Sequence, residues 1–460
     1  SKNAFSFIES NVNLEIPRGL TFELKSTLTK LGFTENIPPC EHDILFISFS
    51  ISIALYATNS SIYHNSNPHK SYVWFGNIVN DFILALFANR ETVISCTTIK
   101  RYMLKVALIG ATGAVGQEFV IALNRHPWFE LTQVASSPRS AGKKYIDALR
   151  DSDSGILRWH NKERVPNYVE DMIVSRVDDV NPQEFDLVFT ALESDDAKLI
   201  EPTFARSVPV ISTAAAFRYE KDVPILIPGI NDNHVELLEV QRKNRGWRGF
   251  IAPLPNCTTT GLVITLKPIM QEFEIENVFM TSMQALSGAG RSPGVIALDI
   301  MDNVIPYIPK EEEKVQVETK KILGDLDSES INSAPIKVSC TCTRVPVLDG
   351  HTETVFVGMR KPAEPAQVKE AMIKFSKAVS VQNFPSSPQD YIIVHDDPTR
   401  PQPRIDRETN DGMTTVVGRL RRDTVFEYGV KYVLLSHNER MGSARGAVLL
   451  AELLRHKKMI

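Results

Sequence analysis

A cysteine followed by small hydroxyl residues and a glycine stands out in Leu254-Pro255-Asn256-Cys257-Thr258-Thr259-Thr260-Gly261-Leu262, which leads into an apolar helical run ending near Met270. A thiol at the start of a helix faces unpaired N–H groups and the positive end of the helix dipole. Both favour the thiolate and lower its pKa. The thiolate is the reactive form, and the neighbouring amides are placed to hold the oxyanion that forms when it attacks a carbonyl. Most lone cysteines are inert fillers of a core, so the case for Cys257 rests on its context. A base and an anion anchor occur together in Arg344-Val345-Pro346-Val347-Leu348-Asp349-Gly350-His351-Thr352-Glu353. The glycine after Asp349 marks a turn that brings Arg344 and His351 to one side of a cleft. An imidazole of ordinary pKa, about 6.5, suits proton exchange at neutral pH. Cys340 and Cys342 alternate along a strand-like stretch and read as core packing.

A second constellation lies upstream. Gly110-Ala111-Thr112-Gly113-Ala114-Val115-Gly116 places three glycines at a spacing of three between an apolar strand and an apolar helix. Such a turn brings the backbone close to a pyrophosphate, whose charge is favoured by the free N–H groups at the helix start. An NAD site usually carries an acid about 20 residues further on, against the ribose hydroxyls. Here that strand end reads Ala135-Ser136-Ser137-Pro138-Arg139-Ser140-Ala141-Gly142-Lys143-Lys144, with no acid between Glu130 and Asp147. Donors and positive charge suit a 2′-phosphate, so NADP(H) is the expected cofactor.

The elements that must position these groups fall into two textures. From Met103 onward, strands expected at Leu104–Ile109, Glu130–Ala135, Asp186–Thr190 and Val208–Ser212 alternate with helices such as Val115–Arg125, the signature of a parallel sheet covered by helices. After Cys257 come longer strands, expected at Val278–Leu286, Ile336–Val347 and Glu353–Arg360, with helices Gly294–Ile305 and Lys310–Leu323 between them. These suggest a mixed or antiparallel sheet. The Pro-rich stretch Pro385 to Pro403 reads as a surface loop.

Composition bounds the rest. The chain of 460 residues corresponds to two or three domains at about 150 residues each. Forty-three per cent of residues are apolar and 23% charged, an ordinary globular balance. With 51 Lys and Arg against 55 Asp and Glu, a net charge of −4 gives no electrostatic case for nucleic acid or an anionic membrane, and a small molecule is the expected partner. Five cysteines without CxxC or zinc-type spacing imply a reducing compartment, the cytosol, and no metal site. The longest apolar run, Ile44 to Ala57, spans 14 residues with serines at alternate positions, too short for a membrane helix and strand-like if anything. Residues 1–102 differ in texture and contain no methionine; the first is Met103. They are expected to be an extension that is not part of the enzyme.

From Met103 to the C-terminus the chain resembles the aspartate-semialdehyde dehydrogenases of the archaeal and fungal branch. The resemblance is carried by Gly110 to Gly116, Ala135 to Lys143, Pro255-Asn-Cys-Thr-Thr-Thr-Gly261, Gln284-Ala-Leu-Ser-Gly-Ala-Gly290, Asp302-Asn-Val-Ile-Pro-Tyr-Ile308, Glu311-Glu-Glu-Lys314, Arg344 to His351 and Ser436-His-Asn438. It implies an α/β fold: a Rossmann-type NADP-binding domain over 103–256, completed by a C-terminal helix over 437–460, and an α+β catalytic and dimerisation domain with a mixed sheet over 257–436. It implies Cys257 as the nucleophile that forms an acyl-thioester, and His351 as acid and base. Asn256, Gln284, Glu311 and Arg344 would contact the substrate, Arg218 and Lys314 its phosphate. Gly110, Thr112, Gly113, Ala114, Val115, Gly116, Ser136, Ser137, Arg139, Ser140, Ser287, Gly288 and Asn438 would contact the cofactor. The implied reaction reduces L-4-aspartyl phosphate to the semialdehyde and inorganic phosphate, on the route to threonine, methionine and, where the aspartate route is used, lysine, in a homodimer or homotetramer. A malonyl-CoA reductase of the same branch and a catalytically degenerate nucleotide-binding protein stay open as alternatives, with N-acetyl-glutamyl-phosphate reductase more distant. Ser212-Thr213-Ala214, Pro228-Gly229-Ile230-Asn231 and the residues after Asn438 depart from the family's usual pattern, and bear on the fine placement of cofactor contacts.

Overall fold

The computed structural model describes residues 103–289 and 297–460. The expectations for residues 1–102, including the strand at Ile44 to Ala57, lie outside them. The apolar run β1 (Leu104–Ile109) ends at Gly110, where φ is +86° and a Cβ would fall 2.2 Å from Ala191 O. Only glycine tolerates both, so the chain turns there into α1 (Ala114–Ala122). There follow β2 (Phe129–Ser136), β3 (Ser175–Arg176), β4 (Leu187–Thr190), α2 (Ser194–Ala205), β5 (Val210–Ser212), α3 (Leu237–Arg245) and β6 (Ile251–Pro253). All six strands are parallel, in the order β3-β2-β1-β4-β5-β6. β4, β5 and β6 are buried throughout, as short apolar strands covered on both faces must be. The order reverses between β1 and β4, which opens a crevice at the carboxyl ends of these strands, beside Gly110.

The second layer begins with α4 (Cys257–Phe273) and continues through β7 (Ile275–Gln284), α5 (Glu311–Ile322), β8 (Asp325–Leu326), β9 (Ile331–Asn332), β10 (Lys337–Arg344), β11 (His351–Met359), α6 (Pro365–Ala378), β12 (Ile392–Val394), β13 (Thr415–Arg422), β14 (Gly429–Ser436) and α7 (Ala444–His456). Six strands form a mixed sheet in the order β10-β7-β11-β14-β13-β12. One face is covered by α4, α5 and α6. On the other, Phe279 is 50% exposed and Thr281, Ser339 and Thr341 point outward with it, following the period-two alternation of the strands. α7 returns to the first layer and packs on α1, burying Leu449, Leu450 and Leu453.

Four expectations need correction. Within 297–305, helix is confined to Ala297–Ile300; Asp302 has φ +59°, and Ile305 exchanges both backbone hydrogen bonds with Arg344, which a continuous helix to Ile305 would forbid. β10 stops at Arg344, two residues before Pro346, which has no N–H to offer a ladder. β11 begins at His351 rather than Glu353, because the ladder with β14 extends to the His351–Ser436 pair. The Pro-rich stretch is more than a surface loop: its Ile392–Val394 segment is β12, pairing with β13 and burying Tyr391 and Ile392. If α7 belongs to the core of the first layer, Leu450→Ala will cost about 2–5 kcal/mol of stability, measured as a lowered urea midpoint with little change in slope.

Candidate active site

Asn256 is the N-cap of α4: its Oδ1 accepts the N–H of Thr258 at 2.9 Å and of Thr259 at 3.2 Å. The cap fixes Cys257 in the first turn. Across from it, Arg344 at the end of β10 pairs with Gln284 at the end of β7, and His351 at the start of β11 pairs with Ser436 at the end of β14. Thr352 pairs with Met283, so Gln284 stands beside His351 at the same end of the sheet. One row of the sheet thus delivers Arg344, Gln284 and His351 to the mouth of the nucleophile's helix.

His351 is fully buried, and its Nε2 lies 3.2 Å from Cys257 Sγ. Its Nδ1 accepts the Ala285 N–H at 3.1 Å. An acceptor at Nδ1 places the proton of the neutral ring on Nε2, so the imidazole donates toward sulfur. Gly288 makes this packing possible, because a Cβ there would lie 2.8 Å from His351 Cε1 and 3.0 Å from Arg344 Nη1. Arg344 Nη1 donates to Ala285 O at 2.7 Å; its other guanidinium nitrogens bond to no described residue. Asn438 accepts the Gly350 N–H at 2.9 Å and donates to Ser287 Oγ at 2.8 Å, tying the turn before His351 to the Leu286–Ala289 turn.

Glu311 gathers the remaining polar groups. Its Oε1 accepts from Asn256 Nδ2 at 2.8 Å and Gln284 Nε2 at 3.1 Å, and its Oε2 lies 3.5 Å from Lys314 Nζ. Arg218 is 5% exposed, donating to Glu318 Oε1 at 3.1 Å and to Thr213 O at 2.9 Å, while its buried Nε has no partner among the described residues. Glu318 was not among the expected residues. It shares a face of α5 with Glu311 and Lys314 at i, i+3 and i+7, the stripe by which the sequence could have revealed it.

The electrostatics differ from the expectation for the sulfur. Burial pushes the Cys257 thiol up to about 12, with Glu311 adding, and this outweighs Arg218, Arg344 and the Thr258 amide. Burial, with Arg344 and His437, pushes His351 down to about 3. The resting pair is therefore thiol and neutral imidazole, not thiolate and imidazolium. The helix start lowers the cost of the thiolate, but desolvation in the cleft is larger.

At the first sheet, α1 has no side chain capping its first turn, so its leading N–H groups are free for an anion. Gly110 and Gly116 are required by the protein's own packing, whereas a Cβ at Gly113 would meet only Gly110 O at 3.6 Å, leaving the approach that a pyrophosphate needs. Thr112 Oγ1 and Ser136 Oγ are 2.7 Å apart, joining the glycine loop to the end of β2. Ser137 and Arg139 are exposed beside it, and Arg139 pairs with no described residue; Ser140 is turned into the protein. The residues present fit a dinucleotide with a further phosphate on its ribose.

Two family models match the chain: the semialdehyde dehydrogenase NAD binding domain over residues 105–238, and the semialdehyde dehydrogenase dimerisation domain over 266–441. The class defined by fold and site is thus that of the semialdehyde dehydrogenases. Aspartate-semialdehyde dehydrogenase from Methanothermobacter thermautotrophicus is 43% identical over 352 residues, 76% of this chain and 99% of that protein. The enzyme of that name from Archaeoglobus fulgidus is 46% identical over 77% and 99%. Among solved structures, aspartate semialdehyde dehydrogenase with NADP from Candida albicans is 38% identical with a TM-score of 0.69, covering 78% of this chain and all of that one. The second enzyme of this name from Vibrio cholerae, complexed with ASA, is 26% identical with a TM-score of 0.61, covering 77% and 98%. The chain belongs to the aspartate-semialdehyde dehydrogenase family.

The raised pKa of the Cys257 thiol has a direct readout. Alkylation of Cys257 by iodoacetamide in the free protein will accelerate about tenfold per pH unit from pH 6 to 9, because thiolate is a growing minor species below a raised pKa. No inflection near the ordinary imidazole value will appear. A rate that levels off by pH 7 would show that the thiolate is already formed.

Proposed function

We propose that the chain catalyses the NADPH-dependent reduction of L-4-aspartyl phosphate to L-aspartate 4-semialdehyde and inorganic phosphate, through a thioester on Cys257. The observation that carries this reading is the 3.2 Å contact of Cys257 Sγ with His351 Nε2 at a capped helix start. Arg218 and Arg344 are electrostatic partners of the sulfur, both favouring its thiolate.

In this reading Arg344 takes the substrate's α-carboxylate, to which its planar guanidinium is matched. Glu311 and Gln284 meet the polar groups beside it. Arg218 and Lys314, the cations nearest Glu318 and Glu311, hold the phosphate. Asn256 acts mainly by capping α4, which sets the sulfur's direction. Attack by Cys257 sulfur forms a C–S bond and breaks the C–O bond to phosphate; the bonding pair leaves on the phosphate oxygen, which carries off the thiol proton as hydrogen phosphate. The Nε2–H of His351 stabilises the thiolate before attack and faces the reacting centre afterwards. NADPH, when bound, supplies hydride to the thioester carbonyl carbon. Collapse of the resulting oxyanion expels Cys257 as thiolate, which the same Nε2–H is placed to receive. Gly110, Thr112, Gly113, Ala114, Val115 and Gly116 would cradle the pyrophosphate, with Ser136, Ser137, Arg139 and Ser140 at the 2′-phosphate. Ser287, Gly288 and Asn438 shape the floor where the nicotinamide would meet Cys257. The free thiol that this chemistry requires suits the reducing cytosol.

The outward face of the mixed sheet supports a homodimer, since Phe279 is exposed at its middle, stacked on Phe426, beside Phe356. Cys257→Ala will lower phosphate-dependent NADP+ reduction by more than about a thousandfold while NADP+ binding, followed by fluorescence, persists. Substantial residual turnover would refute the covalent role, and turnover with malonate semialdehyde and CoA instead would favour the malonyl-CoA alternative. Phe279→Glu will shift the sedimenting species to monomer.

A further inference from the structure

Glu318 is fully buried in the middle of α5, yet it carries a carboxylate. A charge so deep persists only when several donors compensate its lost hydration. Three do so here, from two places in the fold. Oε1 accepts from Arg218 Nη1 at 3.1 Å and from the Tyr219 hydroxyl at 3.0 Å. Oε2 accepts the backbone N–H of Asn256 at 2.6 Å. The first two belong to the segment that follows β5 in the parallel sheet; the third is the N-cap of the nucleophile's helix.

We propose that Glu318 is a positioning residue for the phosphate half of the reaction. With one carboxylate it holds the Arg218 guanidinium and the Asn256 backbone at a fixed separation, and so sets the phosphate anchor against Cys257. The proposal rests on the reaction proposed above. Its argument is geometric. Arg218 is gripped twice, by Glu318 at Nη1 and by Thr213 O at Nη2, which fixes the plane and place of its guanidinium. Asn256 is gripped through its main chain, which leaves its side chain to cap α4 and to reach Glu311. No other described carboxylate hydrogen-bonds to both. Loss of the bridge would leave each partner bonded elsewhere but free to drift relative to the other, and expulsion of phosphate from the acyl carbon depends on that distance.

Glu318→Gln tests it. The amide has a single acceptor oxygen, so it serves Arg218 or the Asn256 N–H but not both, and its NH2 group opposes the donor left over. Assayed as NADP+ reduction with aspartate semialdehyde and inorganic phosphate, the variant is expected to raise the KM for phosphate about tenfold or more and to lower kcat. The KM for NADP+ should stay within about twofold, because the glycine cradle is built from other elements. A variant that melts earlier but keeps the wild-type KM for phosphate would overturn the proposal, leaving Glu318 a structural ion pair. Should Glu318→Gln not fold, Glu318→Asp carries the same test: it keeps the charge but is one methylene too short to span both partners. Wild-type protein inactive with these substrates would overturn the reaction itself; active wild type with an unchanged phosphate KM in the variants would overturn only the role of Glu318.

Discussion

The contact between Cys257 Sγ and His351 Nε2 is the constraint on which the rest of this structure depends. It joins the beginning of a helix to the beginning of a strand, two points separated by almost a hundred residues of chain. Neither side chain can reach far, so both backbones must be placed closely. The Asn256 cap fixes one and the β11–β14 ladder, which closes at His351, fixes the other. The ring's orientation is then set by the Ala285 amide and its clearance by Gly288. Polar groups withdrawn from solvent carry large penalties when a partner is missing, and here Glu311, Gln284, Asn256 and Asn438 hold each other or the backbone.

The parallel sheet was legible because short apolar strands bounded by glycine and proline have few other ways to be buried. The observed strands at 104–109, 129–136, 187–190 and 210–212 lie within two residues of the expected ones. Edges set by pairing partners were less legible. Where β10 ends and β11 begins depends on Pro346 and on how far β14 reaches, and only the latter is a long-range fact. Likewise β12 hides in a Pro-rich stretch whose apolar residues are recognised only once β13 stands beside them. In the site, residues with a family motif or a special residue type could be read directly. Glu318 was harder to read: its spacing from Glu311 and Lys314 is the one signal, and a glutamate inside a charged helix otherwise looks like a solvated face until two other elements close over it.

The thiol's protonation shows the same limit. Sequence reveals the helix start, and with it the terms that favour thiolate. It does not reveal how deeply the cleft removes the sulfur from water, and that term is the larger one. The consequence is a division of labour between the free and the loaded site. In the free protein the cations are already partnered, Arg218 with Glu318 and Lys314 with Glu311. Two residues along β11 from His351, Glu353 is held well above the usual carboxylate range by burial, with Cys342 and Glu311 adding.

An anionic substrate then enters a site whose positive groups are aligned but not exposed to each other's repulsion. Negative charge developing on sulfur is disfavoured by Glu311 and favoured by Arg218 and Arg344, all acting through a medium of low polarizability where each counts for more than in water. Arg344 keeps one nitrogen on Ala285 O with its others unpaired among the described residues, whereas Arg218 holds both terminal nitrogens on Glu318 and Thr213. In the proposed reading, arginine at both anchors meets two anionic groups while its bonds to the protein keep the framework that holds Cys257 against His351.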